Sequence, residues 1–419
     1  MDKSICLNNL CDSLDEKAQK NVYMNRKIPL FKVAMSDSVM STLADTINSG
    51  YITQGPKVEE FERQLMSFLG VRHLLTVNSA TNGLCLAYRL LTHSNDELHW
   101  PGLEDDDLVL STPLTCFATN APILTCRTRL NIQWVDVDLN TGNISLDDLE
   151  SKISPRTKVI TFVHWGGNPV DLQRLDLILD QAQVRIGFRP MVIEDCAHAF
   201  GAEIHGCKIG NSKNICVFSF QAIKHLTTAD GGAITLPTQD MYDRCKLLRW
   251  YGIDRDQRNY QYRDFRLEND VIEAGYKYHM NDLNATIGLA NILNIPQILA
   301  KNRHNAYVLK ERLSHQDGIQ VLTQEDQSAY WLFSIRVTGL NKYKFIEEMS
   351  EKGIVVSQVH NRNDHYTCVR VYQSSLPNLD ILERELVCIP VGWWLSENDL
   401  DYIADCIKEI CVNYQETIA

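Results

Sequence analysis

Between Met191 and Thr235 the chain reads MVIEDCAHAFGAEIHGCKIGNSKNICVFSFQAIKHLTTADGGAIT. Asp195 and His198 follow the apolar run Met191–Ile193, and Ser219 and Lys224 follow the apolar run Ile215–Phe218. Short apolar runs of this kind read as buried parallel strands. Ligands of open α/β sheets lie at the carboxyl ends of such strands. A lysine amine condenses with an aldehyde, a carboxylate keeps a ring nitrogen protonated, and a hydroxyl binds phosphate. Those three capacities together suit pyridoxal phosphate. Taken alone, an acid after a strand serves equally well as a cap, so the set matters more than any member.

The flanking elements explain how such a set is positioned. In VRHLLTVNSATNGLCLAYRLL, a strand over Leu74–Val77 leads into a helix with Leu84, Tyr88 and Leu91 on one face. Ser79-Ala80-Thr81 at its start reads either as a helix cap or as a phosphate site built on free backbone N–H groups. Val58, Phe61, Leu65 and Phe68 form one helical stripe that Gly70 stops. A strand over Leu108–Ser111 leads into TPLTCFATNAPIL, and strands Ile132–Val137 and Lys158–Val163 bracket a helix over Leu146–Lys152 as a βαβ crossover. Gly231-Gly232 turn the chain back into a further strand. A helix containing Arg249–Arg255 and a long helix over Asn284–Leu293 follow. After an exit through Asn294–Asn302, helices Ala306–Leu313, Lys342–Lys352 and Glu397–Cys411 alternate with strands Leu332–Val337 and Val355–Gln358. The weakly patterned residues 1–27 read as an extension with a short helix over Leu14–Val22.

A chain of 419 residues suits two cores, one larger than the other. Its 44% hydrophobic and 22% charged content is that of a soluble globular protein. A net charge of −12 argues against a nucleic-acid polymer or an anionic membrane as partner. The 13 cysteines show no CxxC pair and no zinc-ligand spacing, so no metal site is expected. Cys85, Cys216 and Cys388 lie in apolar runs, as buried thiols of a reducing cytoplasm do. The N-terminus lacks a signal-peptide core and no apolar run is long enough to span a bilayer.

SFQAIKHLTTADGGAI resembles the lysine segment of the DegT/DnrJ/StrS-type nucleotide-sugar aminotransferases, and the likeness runs from about Ile28 to near the C-terminus. The resemblance implies an α/β fold, the fold type I of pyridoxal-phosphate transferases. A large domain over 28–294 would hold a mostly parallel sheet sandwiched by helices, and 295–419 a smaller α+β domain. It also implies roles. Lys224 would form the Schiff base and Asp195 pair with the pyridinium nitrogen. Ala80, Thr81 and Ser219 would grip the phosphate, and His198 lie near the phenolic oxygen. The family's ring-stacking aromatic is replaced by Cys116, with Phe117 next to it. Lys277 stands where an Asn usually reaches into the partner subunit's site, which implies a homodimer with shared sites. His164 or Trp165, from HWGGNPVDL, could line the site, while Gly166–Pro169 could be a structural turn. His360 and His365 read either as ligand-clasping groups or as solvated loop residues, and Tyr51–Gly55 as a substrate-facing loop.

The implied activity transfers an amino group from L-glutamate, leaving 2-oxoglutarate, to a nucleotide-linked keto-deoxysugar at C4 or C3 in a ping-pong sequence. Two other readings keep the fold. One uses a keto acceptor without a nucleotide, and one retains no catalysis. The Lys224, Asp195, Ser219 and Thr81 set argues against the latter. Relatives that remove a sugar hydroxyl have His in place of the lysine, and Lys224 argues against that chemistry.

Overall fold

The computed structural model describes residues 27–256 and 270–418. The expected extension over 1–27, apart from Lys27, and its helix Leu14–Val22 lie outside them.

Seven strands form the main sheet: β1 (Leu74–Val77), β2 (Leu108–Ser111), β3 (Asn131–Trp134), β4 (Thr157–Val163), β5 (Met191–Asp195), β8 (Ile215–Ser219) and β9 (Gly232–Thr235), with the short hairpin β6 (Glu203–Ile204) and β7 (Cys207–Lys208) between β5 and β8. The order is β1-β9-β8-β5-β4-β2-β3. Only β9 runs against its neighbours, so six carboxyl ends point to one edge. β1, β8 and β9 are buried throughout, which is why none of them alternates apolar with polar residues. β9 begins at that same edge, with Gly232 opposite both Ser219 and Val77.

Helices cover both faces. Pro56–Leu69 starts on a proline and stops at Gly70, whose left-handed φ of 74° suits a residue without a Cβ. Val58, Phe61 and Leu65 of the predicted stripe are buried, but Leu69 completes the face while Phe68 stacks on Phe200. The helix Ala80–Leu91 buries Leu84, Tyr88 and Leu91 as expected. A second, antiparallel sheet, β10 (Ile319–Val321), β11 (Phe333–Val337) and β12 (Leu386–Ile389), carries its own apolar cluster.

The helix Ile295–Leu313 links the two clusters. Ile295, Ile298 and Leu299 pack with the main-sheet residues, while Ala306, Leu309 and Leu313 pack with the second sheet. Ile28 also belongs to the second cluster and bridges Ile354. Among the described residues no single helix is long and apolar enough to cross a membrane.

Five sequence expectations need correction, the first being the helix expected over Glu397–Cys411, which runs on to Ile418. The helix placed over Arg249–Arg255 ends earlier, at Leu248. Gly252 then turns the chain at φ 84°, where a Cβ would collide with the Glu273 carbonyl. The strand expected over Val355–Gln358 does not form; Ile354 and Ser357 make single bridges to Ile28 and Cys388 instead. The helix expected over Ala306–Leu313 starts eleven residues earlier, at Ile295. The strand expected over Ile132–Val137 stops at Trp134, because Val137 bridges Ile144 in a local loop.

Candidate active site

β5 and β8 run side by side in parallel, with Asp195 paired to Val217. Asp195 and Ser219 therefore emerge at the same edge of the sheet. Beyond Ser219 the chain forms a loop closed by Phe220 N to Gly231 O and Thr228 N to Phe220 O, both 2.9 Å. Lys224 sits within that loop, its N–H bonded to Gln221 O at 2.9 Å.

Strand alternation separates two adjacent acids. Asp195 is held by Thr119, whose hydroxyl donates to Oδ2 at 2.7 Å, and by Ala197 N, which donates to Oδ1 at 3.0 Å. Burial pushes its pKa up, against those two bonds and the charge of Lys224. Glu194 turns the other way into a closed network. It accepts from His164 Nε2 (2.9 Å), Ser212 Oγ (2.6 Å) and Asn214 Nδ2 (2.7 Å), while His164 Nδ1 accepts from Val170 N (3.0 Å). Burial works to raise the Glu194 pKa, but its bonds, led by that from His164, hold it below the usual value. Both ring nitrogens of His164 and the carboxylate are thus engaged, and Cys196 beside them is a thiol whose pKa burial drives well upward. The trio could hold a metal by proximity alone, yet its ligand atoms are already bonded within the protein.

Lys224 Nζ lies 3.6 Å from the centroid of the Trp331 ring. Burial pulls its pKa down to about 8, with Asp195 and Cys116 opposing. His198, only 1% exposed, stacks on the same indole at 3.9 Å and 18°. His360 stacks on His198 at 5.7 Å, and Trp165 meets both imidazoles edge-on at 6.1 and 6.4 Å. Burial and the Lys224 charge keep both imidazoles neutral, with His360 down at about 4 and His198 well below its ordinary value. Among the described residues, buried His198 Nδ1, His360 Nε2 and Trp165 Nε1 have no hydrogen-bond partner. These are polar atoms that a bound group would satisfy.

The remaining sequence candidates fall as follows. Ser79 caps the helix Ala80–Leu91 by accepting from Asn82 N at 3.2 Å. The N–H groups of Ala80 and Thr81 belong to the first turn, where no intrahelical acceptor exists. A side chain on Gly232 would lie 2.8 Å from Ala80 N, so the bare glycine keeps that N–H clear. Neither Gly231 nor Gly232 has positive φ: their requirement is space, not turn geometry. Cys116 is exposed at the start of the helix Phe117–Thr125, and Phe117 is engaged edge-on with Tyr366 at 5.2 Å. Lys277 is exposed; its carbonyl accepts from Asn78 Nδ2 at 3.4 Å, one residue before Ser79. Tyr51 and Ile52 are exposed in the loop up to Gly55, beside a cavity of 510 Å³ that also meets Trp250 and Arg255. His365 is exposed, and His164 does not line the cluster.

Sequence reasoning missed Thr119 and Trp331. Trp331 arrives from the far side of the chain because the turn at Gly166-Gly167 accepts backbone bonds from Leu332 N (3.1 Å) and Ala329 N (3.0 Å). The Gly166–Pro169 stretch is therefore a structural turn, and its function is to dock that segment.

The sequence model of the DegT/DnrJ/EryC1/StrS aminotransferase family matches residues 34–408. The crystal structure of AtS13 from Actinomadura melliaura is 45% identical, with a TM-score of 0.84 over 92% of this chain and 99% of that one. The sugar aminotransferase CalS13 from Micromonospora echinospora is 39% identical, with a TM-score of 0.83 over 91% and 99%. The UDP-4-amino-4-deoxy-L-arabinose–oxoglutarate aminotransferase of Shewanella sediminis is 30% identical over 93% of this chain and 99% of its own.

Proposed function

The chain belongs to the DegT/DnrJ/EryC1/StrS aminotransferase family and is a sugar aminotransferase dependent on pyridoxal phosphate; from that premise we propose that it carries nitrogen from L-glutamate to a nucleotide-linked keto-deoxysugar, at C4 or C3. The observation that carries this reading is the parallel pairing of β5 with β8, which brings Asp195, Ser219 and the Lys224 loop to one sheet edge. The Shewanella relative, named for a UDP-sugar and oxoglutarate, supports the choice of substrates.

The residues present fit the cofactor. Asp195 has lone pairs left after its two internal bonds, and His198, whose Nδ1 has no hydrogen-bond partner among the described residues, stacks on the indole beside Lys224. When bound, pyridoxal phosphate supplies an electron sink for a carbanion next to nitrogen. With it bound, Lys224 would be the amine that holds its aldehyde and, once free, would carry the proton to and from the donor's α-carbon. That task needs the neutral amine, and a pKa near 8 leaves a working fraction of it at neutral pH. Asp195 holds the proton on the ring nitrogen. Ala80 N, Thr81 N and the hydroxyls of Thr81 and Ser219 bind the phosphate. Exposed Cys116 stands where the family has its ring-stacking aromatic and would cover the bound ring in its place. Trp165 and His360, edge-on to each other, would wall the sugar side. The donor's keto acid leaves before the acceptor enters, which predicts parallel double-reciprocal lines. Exposed Lys277 reaches the partner's phosphate in a homodimer. Residues 28–294 form the cofactor-binding unit and 295–419 the smaller one, and the cytoplasm is the working compartment.

The test is to incubate the loaded protein with L-glutamate and a panel of nucleotide-keto-sugars, following 2-oxoglutarate and characterising the product by NMR. Turnover with a nucleotide-keto-sugar and none with the free sugar is expected; the opposite preference overturns the proposed acceptor. Mixing Lys224→Ala with Lys277→Ala subunits tests the shared site, since unchanged activity after confirmed exchange contradicts it.

A further inference from the structure

Trp331 is fixed from several directions. Its indole N–H donates to the Ile223 carbonyl at 3.0 Å, the residue just before Lys224. Its ring stacks on Phe31 at 4.9 Å and on His198 at 3.9 Å. Its backbone neighbours are pinned to Gly166 and Gly167, and a Cβ on Gly167 would lie 3.1 Å from Trp331 N and 2.7 Å from the His198 carbonyl. The result is an indole held by main-chain bonds on both flanks, with the Lys224 amine resting 3.6 Å from its ring centroid.

We propose that Trp331 is a positioning residue for Lys224: its indole face is the platform on which the amine rests whenever it is not bonded to the cofactor. The face of an indole carries negative charge density and attracts an ammonium. Protonated Lys224 is therefore held in place rather than swinging to solvent, and the bond to Ile223 fixes the backbone from which it springs. The role rests on the reading of Lys224 given above but not on the identity of the sugar.

The other groups facing the amine are Asp195 from the end of β5, Cys116 from the start of Phe117–Thr125, His198 and His360 from their loops, and His225 from its own loop. The three imidazoles are all held neutral by burial, His225 and His360 at about 4, so they add no positive charge near pH 8. Asp195 is the main competing charge.

Two roles for the indole predict opposite signs. If Trp331 only excludes water, replacing it with Leu hydrates Lys224 and its pKa rises toward that of free lysine. If it is an electrostatic platform, the same change removes an attraction for the ammonium and the pKa falls by about 0.4–1.5 units. The experiment is competitive acetylation of the cofactor-free full chain across pH, with Lys224 quantified by mass spectrometry. Trp331→Leu should lower the apparent pKa of Lys224, whereas Trp331→Phe, which keeps a face, should leave it within about 0.3 units. A rise or no change in the Leu variant overturns the proposal. With cofactor, Trp331→Leu should lower kcat roughly 10–100-fold with little change in the donor KM.

A wild-type measurement guards against a Leu variant that fails to fold. Reductive methylation with ¹³C should give Lys224 an upfield ring-current shift, assigned by its loss in Lys224→Arg; an unshifted Lys224 signal overturns the platform. Borohydride labelling of the loaded wild type separates the two layers. Label on Lys224 with no effect of Trp331 sinks only this inference, and label elsewhere sinks the reading beneath it.

Discussion

Thr119→Val removes one hydroxyl and almost no volume, and it strikes the proposed ring-nitrogen acid at a single atom. The Thr119 hydroxyl donates to Asp195 Oδ2 at 2.7 Å and is itself within 2.6 Å of the Thr115 hydroxyl. Thr119 and Asp195 are both buried, so water cannot replace the lost donor. A hydrogen bond to a charged group contributes about 1.5–3 kcal/mol. Asp195 must be ionised to hold a protonated pyridine nitrogen, and burial already pushes its pKa up with Thr119 as the first opposing bond. Losing that bond should raise its pKa further and weaken pyridoxal phosphate binding about 10- to 150-fold. The assay is a spectrophotometric titration of the cofactor-free variant with pyridoxal phosphate at pH 8, beside kcat at saturating cofactor. Thr119→Ser, which retains the hydroxyl, should stay within about threefold of wild type. A Val variant that melts normally and binds the cofactor as tightly as wild type refutes the argument.

Asp195→Asn should abolish turnover yet raise the unfolding midpoint of the cofactor-free protein at pH 8. The sign follows from linkage: a carboxyl whose folded pKa is raised contributes stability fully present below its unfolded value and lost as pH rises through the folded one. The gain of the Asn variant should therefore shrink on acidification, and a gain that grows instead contradicts the raised pKa. Arg249→Met should cost about 3–5 kcal/mol in denaturant unfolding, because it strands buried Glu62, which Arg249 Nη1 meets at 2.5 Å and Thr76 N and Oγ1 meet at 2.8 Å. A loss below about 1 kcal/mol contradicts the claim that Glu62 is left stranded. Gly232→Ala should weaken cofactor binding through the phosphate turn, since its Cβ would sit 2.8 Å from Ala80 N and 2.5 Å from Phe218 O; unchanged affinity measured by titration argues against phosphate at Ala80.

The central strands were legible because burial on both faces leaves unbroken apolar runs, as in Ile215–Phe218 and Leu74–Val77. Asp195, Ser219 and Lys224 were legible as a group because parallel pairing places strand ends together regardless of what lies between them. Contacts that depend on docking were not. Trp331 sits 107 residues beyond Lys224, and it meets that amine through docking contacts, the Gly166-Gly167 turn and the Ile223 carbonyl among them. Thr119 reads as an ordinary helix residue until its face is seen against Asp195. The missing strand over Val355–Gln358 is the same lesson on the backbone, since the β-branched pair Val355-Val356 is flanked only by single bridges from Ile28 and Cys388. Glycines misled for a related reason. Gly231-Gly232 looked like a turn, but the need is for room beside Phe218 and Ala80.

Catalysis by this protein depends on which amine carries the cofactor. Borohydride reduction of the loaded protein, followed by proteolysis and mass mapping, should place a phosphopyridoxyl group on Lys224 within SFQAIKHLTTADGGAI and nowhere else. Label on a different lysine, or a reduced protein that releases its cofactor unbound, would contradict it.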